Sequence, residues 1–217
     1  YKLDDLLEEK IEDIIISSVD VNSHITGELV GRCLEASENA ADLYVKHLLE
    51  TVDFRLDGVK VALDCANGAS YEIAAKVYQA LGANVSVMGN KPDGVNINGG
   101  CGSTHPEKLA ELVKATGSDV GLAFDGDADR LIVIDENGEV IDGDRVIAIC
   151  AKMLKDQGRL AENKVTATVM SNIGFHKAME AWGIDVDVTG VGDRYVLEKM
   201  PVSYTHLRAH ETLSDLV

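Results

Sequence analysis

The spacing of hydrophobic positions changes partway along this chain. Residues 3–16 place leucine and isoleucine at helical spacing with acidic residues between them, a pattern that predicts an amphipathic helix. Residues 26–52 continue the helical pattern. From residue 58 onward, short apolar runs closed by glycine alternate with helical segments, which is typical of βαβ units.

Two blocks of alternating strands and helices follow. The predicted strands lie within 58–68, 83–89, 119–124, 130–141, 164–170 and 184–189, and the predicted helices lie within 69–82, 106–117, 143–158, 174–183 and 190–200. Residues 130–141 hold two apolar runs on either side of an Asn-Gly pair, which indicates a hairpin. The sequence therefore predicts an α/β fold with mainly parallel or mixed sheets covered by helices.

Charge and cysteine content narrow the classes of function. The chain has 20 Lys and Arg against 37 Asp and Glu, a net charge of −17. This balance argues against nucleic-acid and anionic-membrane partners, because both are polyanions. No apolar run approaches the roughly 20 residues of a membrane span. The four cysteines form no CxxC pair, so neither a zinc site nor a disulfide framework is indicated, and a cytoplasmic location is expected.

Three aspartates stand at alternate positions between two apolar runs: Asp125, Asp127 and Asp129. Two carboxylates about 4 Å apart repel by about 4 kcal/mol at an effective dielectric of about 20, so the cluster needs a counter-charge. Mg²⁺ and Ca²⁺ take oxygen ligands, and a short loop can aim alternate side chains at one ion. Arg130 follows directly, and a guanidinium pairs well with phosphate oxygens. The sequence therefore predicts a divalent-cation site beside a phosphate.

An EF-hand is an alternative metal site with similar spacing. Asp125, Asp127, Asp129 and Glu136 fall at loop positions 1, 3, 5 and 12 of that motif. However, Arg130 stands where the motif requires glycine, and predicted strands replace the paired helices. A non-catalytic, metal-binding α/β module is the alternative function that this spacing supports.

Five segments carry a resemblance to a known family. They are DCANG at 64–68, VNINGGCGSTHPE at 95–107, DGDADR at 125–130, TVMSNIGF at 168–175 and GVGDRYVLEKM at 190–200. In this order they resemble the bacterial phosphoglucosamine mutases, a family of the α-D-phosphohexomutase superfamily. The second and fifth segments favour this branch over the phosphomannomutase/phosphoglucomutase branch, which stays open as an alternative.

The resemblance implies a phosphohexomutase-type fold and an isomerase that interconverts glucosamine 6-phosphate and glucosamine 1-phosphate, so the implied partner is a phosphorylated amino sugar. A phosphoserine would donate its phosphoryl group to one end of the sugar and recover a phosphoryl group from the other end. Asp125, Asp127 and Asp129 would hold Mg²⁺, and Arg130 would support the phosphoryl oxygens. The TASHNP-type motif of the family's serine does not occur here, so the chain alone is expected to be inactive.

The loop before the helix at 106–117 contains further candidates. Ser103 lies in a GSTHP sequence that imitates the phosphoserine motif, but its place after NINGGC matches the family's second domain. Ser103 and Thr104 are instead predicted to cap the helix opened by Pro106. His105 is a candidate acid/base or phosphate contact in the active-site cleft.

A second candidate contact follows the last predicted strand. Asp193 and Arg194 stand at a predicted helix N-terminus, where backbone N–H groups favour anions. The family's third-domain loop faces the cleft, so the resemblance makes Asp193 and Arg194 candidate substrate-binding residues.

The resemblance also divides the chain into pieces. Residues 1–53 are expected to be the closing helices of a first domain, 54–141 a second domain with the metal-binding loop, and 142–200 the first part of a third. The chain is thus expected to be truncated at both ends. Residues 201–217 resemble nothing in the family and are expected to be an artefact of sequencing or joining. Uncovered apolar helix faces are expected to make the chain form homo-oligomers or aggregates.

Overall fold

The computed structural model describes residues 3–17, 40–192 and 195–196. The chain divides into two compact units, residues 1–40 and 41–217. In the first unit, helix α1 (Asp5–Ile16) begins after Asp4, whose side chain accepts a hydrogen bond from the backbone N–H of Leu6 at 3.0 Å. None of the α1 residues is buried, and the apolar face predicted from the sequence is exposed to solvent.

Helices and strands alternate through the rest of the described chain. The helices after α1 are α2 (Ala40–Glu50), α3 (Ile73–Ala80), α4 (Glu107–Thr116), α5 (Gly143–Asp156) and α6 (Ile173–Ala181). The strands are β1 (Lys60–Asp64), β2 (Asn84–Met88), β3 (Val120–Phe124), β4 (Leu131–Asp135), β5 (Val140–Ile141), β6 (Lys164–Thr168) and β7 (Asp185–Thr189). Most of the last predicted helix, within 190–200, lies outside the described residues.

The first sheet has five strands in the order β2-β1-β3-β4-β5. Strand β1 runs parallel to β2 and β3, whereas β4 runs antiparallel to both β3 and β5. The hairpin predicted within 130–141 therefore forms between β4 and β5. Because β3 and β4 are antiparallel neighbours, the segment with the three aspartates is the turn that joins them. The mixed sheet confirms the predicted α/β fold class.

Strands β1 and β3 are buried because α3 and α4 contribute to apolar clusters on the two faces of the sheet. Alternate residues of the strands enter different clusters, as the two-residue period of a strand requires. One cluster contains Val61, Leu63, Ala74 and Leu122, and the other contains Ala62, Leu109, Val113, Ala123 and Ile134. Helix α4 packs close to β3, since a Cβ at Gly121 would lie 2.7 Å from a methyl group of Val113.

The second sheet consists of the parallel pair β6 and β7. Side chains from α5, α6 and both strands form a separate apolar cluster that includes Ile147, Ala151, Val165, Phe175 and Met179. The Asp142 and Asn172 side chains cap the two helices by accepting backbone hydrogen bonds at 2.8 and 2.9 Å. Across the part of the chain with assigned structure, no helix combines the length and apolar character that a membrane crossing requires.

Candidate metal site

The acidic loop, residues 125–130, is a tight connection between β3 and β4. The backbone N–H of Asp125 donates to the Arg130 carbonyl at 3.4 Å, and that of Ala128 donates to the Asp125 carbonyl at 3.2 Å. Ala128 has a φ of 63°, in the left-handed region where a small side chain is tolerated best. This turn keeps the three alternating aspartates on one short stretch of backbone.

The three carboxylates converge on one point. One ligand oxygen from each of Asp125, Asp127 and Asp129 lies within 4.8 Å of the other two. Asp125 is buried, whereas Asp127 and Asp129 are exposed. An oxygen-only set with one buried anchor and two solvated members fits a hard divalent cation, which keeps some of its water ligands. The structure therefore bears out the convergence that the spacing predicted.

Arg130 partly neutralises the cluster. Its Nε donates to Asp125 Oδ2 at 2.8 Å and lies 3.5 Å from Asp129 Oδ1, while its backbone N–H donates to Asp125 Oδ1 at 3.1 Å. Burial acts to raise the pKa of Asp125, but these hydrogen bonds outweigh burial and hold that pKa below its ordinary value. These contacts thus favour the ionised form of the Asp125 carboxyl, which is the form that could bind a metal ion.

Asp129 experiences the opposite electrostatic balance. Desolvation, followed by the proximity of the Asp125 and Asp127 carboxylates, raises the pKa of Asp129 above its ordinary value. A single guanidinium therefore does not balance three adjacent carboxylates. A divalent cation would supply the missing positive charge.

The loop after β1 supports the acidic loop through close backbone contact. Ala69 donates its backbone N–H to the Gly126 carbonyl at 2.8 Å. A Cβ at Gly68 would lie 2.1 Å from the same carbonyl oxygen, so only glycine fits at this position. A Cβ at Gly126 would in turn lie 2.9 Å from the side-chain nitrogen, Nδ2, of Asn98. The loop after β1 and the loop that contains Asn98 therefore both pack against the acidic loop.

Asp64, at the end of β1, bonds to both of these loops. It is fully buried, and its two carboxylate oxygens accept backbone hydrogen bonds from Ala66 at 2.9 Å and Gly102 at 2.7 Å. Gly102 also lies so close to Ala66 that a Cβ there would be 2.7 Å from the alanine Cβ. One carboxylate thus fixes both loops that flank the aspartates.

A cavity of about 300 Å³ opens beside the acidic loop. It is lined by Ile97, Asn98, Ser103, Thr104, Asp125, Gly126, Asp127 and Arg130. Here it is named the metal-loop cavity. It places two of the three aspartates, the guanidinium and several hydroxyl and amide groups around one space, which suits a cation together with an oxygen-rich anion.

The segments that contain strands β1 to β4 and strands β6 and β7 both match a known protein family. The sequence matches two models of the phosphoglucomutase/phosphomannomutase family: alpha/beta/alpha domain II over residues 42–138 and alpha/beta/alpha domain III over residues 142–205. The chain belongs to the phosphoglucomutase/phosphomannomutase family. The acidic loop and its cavity lie in the segment that matches domain II of this family, and the sheet of β6 and β7 lies in the segment that matches domain III.

Individual relatives place the chain within this family. It is 52% identical over 200 residues to a protein named phosphoglucosamine mutase from an Exiguobacterium species, and equally so to one from Clostridium novyi. Each match covers 92% of this chain but 44% of the relative, so the chain spans less than half of either protein's length. These relatives confirm the resemblance carried by the five sequence segments.

A solved structure supports the fold. The crystal structure of a phosphoglucomutase/phosphomannomutase family protein from Burkholderia thailandensis matches 95% of this chain with a TM-score of 0.72 and 23% identity, and the match covers 43% of that protein. The phosphohexomutase-type architecture expected from the sequence is therefore confirmed.

The loop before α4 differs from its prediction in one respect. Capping by Ser103 and Thr104 is wrong, because Pro106 occupies the N-cap position of α4 and no side chain caps the helix. The reason is a tight turn, in which the His105 backbone N–H donates to the Gly102 carbonyl at 3.0 Å, while Ser103 donates its own N–H to the β3 carbonyl of Phe124 at 2.9 Å. Ser103 is therefore held by the sheet rather than by the helix.

The remaining candidate residues have different outcomes. His105 is exposed and is not among the residues that line the metal-loop cavity, so its catalytic role stays a prediction. Asp193 and Arg194 lie outside the described residues, as does the tail at 201–217. Glu136, the fourth EF-hand position, is exposed in the β4–β5 hairpin and does not join the aspartate cluster, which removes the EF-hand alternative.

Sequence reasoning missed the residues that hold the acidic loop in place. Asp64 and Gly68 belong to the DCANG segment, and Gly102 belongs to the VNINGGCGSTHPE segment, and neither segment identifies them as supports of the acidic loop. Their contacts join positions 38 residues apart in the case of Asp64 and Gly102. The available signal was the clustering of small residues in three separate loops of one domain.

Proposed function

We propose that this chain is part of a phosphoglucosamine mutase that interconverts glucosamine 6-phosphate and glucosamine 1-phosphate with Mg²⁺. The observation that carries the proposal is the convergence of three carboxylates beside an arginine, with two of the three lining one cavity. It stands together with 52% identity to two proteins named phosphoglucosamine mutase. Specificity for mannose or glucose phosphates is less well supported, because it rests only on the broader family description.

Asp125, Asp127 and Asp129 are the residues that would hold the Mg²⁺ ion. When bound, the ion neutralises charge on a transferring phosphoryl group. The chain's own contribution is positional: Asp125 is buried and kept ionised by Arg130, so one ligand is fixed before the ion arrives. Arg130 has further N–H groups that can donate to phosphoryl oxygens in the same cavity.

The other parts of the reaction are proposed from the family resemblance. The phosphoryl donor would be a phosphoserine contributed by a segment that this sequence does not contain. Asp193 and Arg194 would contact the phosphorylated amino sugar. A cytoplasmic location remains a prediction.

A chimeric enzyme tests the proposal. Residues 1–200 of this chain would replace the matching segment of the Clostridium novyi relative, and conversion of glucosamine 6-phosphate to glucosamine 1-phosphate would be measured with and without Mg²⁺. We expect Mg²⁺-dependent turnover, and we expect an Asp127→Asn version of the chimera to lose at least about 100-fold, the scale on which losing one preorganised electrostatic contact slows an enzyme.

Substrate choice is the discriminating readout. A folded chimera that converts mannose or glucose phosphates faster than the glucosamine phosphates would replace the proposed specificity by the alternative branch. Full turnover after Asp127→Asn would remove the aspartate cluster from the mechanism.

A further inference from the structure

Ser103 has a buried hydroxyl group without a hydrogen-bond partner. The residue is only 1% exposed, and its Oγ finds no donor or acceptor among the described residues. Buried polar groups in folded proteins nearly always have a partner, so an orphan of this kind points to a missing water, ion or ligand. The position of this serine indicates which of these it is.

The backbone holds Ser103 rigidly at the end of β3. Its N–H donates to the Phe124 carbonyl at 2.9 Å, next to Asp125 in the chain. The preceding residue, Gly102, donates to the buried Asp64 carboxylate at 2.7 Å. No space is left around Gly102, because an added Cβ would lie 2.9 Å from the Phe124 carbonyl oxygen. Ser103 is therefore a fixed part of the sheet edge that carries the acidic loop.

Ser103 also forms part of the wall of the metal-loop cavity, which it shares with Asp125, Asp127 and Arg130. A serine hydroxyl can donate one hydrogen bond. The aspartate oxygens that converge here suit a divalent cation, and a magnesium ion typically keeps several waters or takes phosphate oxygens as its remaining ligands. Such oxygens need hydrogen-bond partners in the protein around the ion.

We propose that Ser103 Oγ donates a hydrogen bond to an oxygen ligand of the divalent cation held by the three aspartates. That oxygen belongs either to a metal-bound water or to a phosphoryl group, and the two share the same chemistry as acceptors. The inference rests on the cation site of the proposed function and adds a positioning residue outside the acidic loop. It accounts for the orphan hydroxyl and for the rigid attachment of Ser103 to β3.

Calorimetric titration of the full chain tests this role. MgCl₂ is titrated into the wild type, Ser103→Ala and a control, Ser70→Ala. Ser70 is the control because its hydroxyl is also buried, but Ser70 is not among the residues that line the metal-loop cavity. We expect Ser103→Ala to weaken Mg²⁺ binding about 10-fold, the lower end for loss of an outer-shell partner, and Ser70→Ala to stay within about twofold of the wild type.

Two arms distinguish the sources of the oxygen. In the first arm Mg²⁺ is titrated alone, and in the second it is titrated with inorganic phosphate present. A Ser103→Ala defect already seen with Mg²⁺ alone assigns the contact to a metal-bound water, and a defect seen only with phosphate assigns it to a phosphoryl oxygen. Thermal unfolding without metal is expected to be unchanged in Ser103→Ala, which separates the contact from a general structural role.

The outcomes separate this inference from the function it rests on. Wild-type Mg²⁺ affinity of Ser103→Ala in both arms would overturn the inference, and so would an equal loss of Mg²⁺ affinity in Ser70→Ala. The cation site itself would still be supported if Asp127→Ala abolishes Mg²⁺ binding. A wild-type chain that binds no Mg²⁺ in either arm would overturn both.

Discussion

At the scale of single residues, Arg130 offsets part of the negative charge of the three aspartates. Asp125 is buried among apolar strands and would be costly there as an unpaired charge. Arg130 supplies two hydrogen bonds to it, from the backbone and from the guanidinium. Asp127 and Asp129 are exposed, so their ionised carboxylates carry a smaller desolvation cost than that of Asp125.

Replacing Arg130 by glutamine should destabilise the chain in a pH-dependent way. We expect the free energy of unfolding at neutral pH to fall by about 1–2 kcal/mol, a modest value because the guanidinium is partly solvated. The pKa of Asp125 is lowered in the folded chain, so its ion pair contributes stability above the unfolded-state pKa and loses it as pH falls through the folded-state pKa. The deficit should therefore shrink below about pH 3.9. Urea unfolding across this pH range measures it.

Mg²⁺ provides the control for this variant. Because the ion gives Asp125 a second counter-charge, saturating Mg²⁺ should restore part of the stability lost in Arg130→Gln. A deficit that is independent of both pH and Mg²⁺ would show that Arg130 acts through packing rather than through the Asp125 carboxylate.

Gly68 should tolerate no side chain. In Gly68→Ala the new Cβ would meet the Gly126 carbonyl oxygen at 2.1 Å, so the acidic loop must shift. We expect a loss of about 1–3 kcal/mol in unfolding free energy and weaker Mg²⁺ binding, measured by urea unfolding and calorimetry. Gly190→Ala is the matched control, since its added Cβ has no neighbour closer than 4.0 Å. Equal behaviour of the two variants would contradict the proposed contact.

At the scale of secondary-structure elements, the site lies where loops from neighbouring strands meet. Strands β1 and β3 are parallel neighbours, so the loops that follow them emerge at the same edge of the sheet. Asp64 at the end of β1 holds the loop containing Gly102, and that loop in turn holds Ser103 against β3. The aspartates are thus positioned by a network that spans three connections.

Asp64→Ala tests this network. The substitution leaves the buried N–H groups of Ala66 and Gly102 without their acceptor, so we expect a loss of about 2–4 kcal/mol in unfolding free energy. Mg²⁺ affinity should fall as well, because both flanking loops loosen. Urea unfolding and calorimetry measure the two effects.

A control aspartate lies at the other end of β1. Asp119 is exposed and accepts the Lys60 backbone N–H at 2.8 Å, far along the strand from the acidic loop. Asp119→Ala should cost about 0.5–1.5 kcal/mol and leave Mg²⁺ binding unchanged. A fall in Mg²⁺ affinity as large as that of Asp64→Ala would mean that general destabilisation, rather than loop positioning, governs the site.

The strands and the aspartate cluster could be predicted because their signals are local. Apolar runs closed by glycine mark β1, β3 and β4, and the alternating aspartates occupy only five consecutive positions. The supporting contacts could not be predicted, because they depend on which loops the sheet order brings together. Ser103 shows the difference most clearly: its neighbours in the chain indicate a helix cap, whereas its backbone bonds to β3 across the fold.

At the scale of the whole molecule, the exposed apolar face of helix α1 is the feature that favours association of chains. Helix α1 leaves Leu7, Ile11 and Ile14 between 42% and 46% exposed, at the helical spacing that forms one face. Exposed apolar stripes of this kind favour association.

We expect the chain to elute above monomer size in size-exclusion chromatography. The double substitution Leu7→Lys and Ile14→Lys should shift it toward monomer by removing apolar area. Glu8→Gln with Glu12→Gln is a matched control, because it changes the charge by the same amount without touching the apolar face. A sharp wild-type monomer peak, or an equal shift by the control pair, would contradict this expectation.

The central claim is that Asp125, Asp127 and Asp129 hold a divalent cation. Anomalous diffraction from crystals of the chain soaked in MnCl₂ tests it most directly, since Mn²⁺ takes the same oxygen ligands as Mg²⁺. The account predicts one strong peak within about 2.5 Å of carboxylate oxygens from all three aspartates. Ordered carboxylates with no peak between them would contradict it.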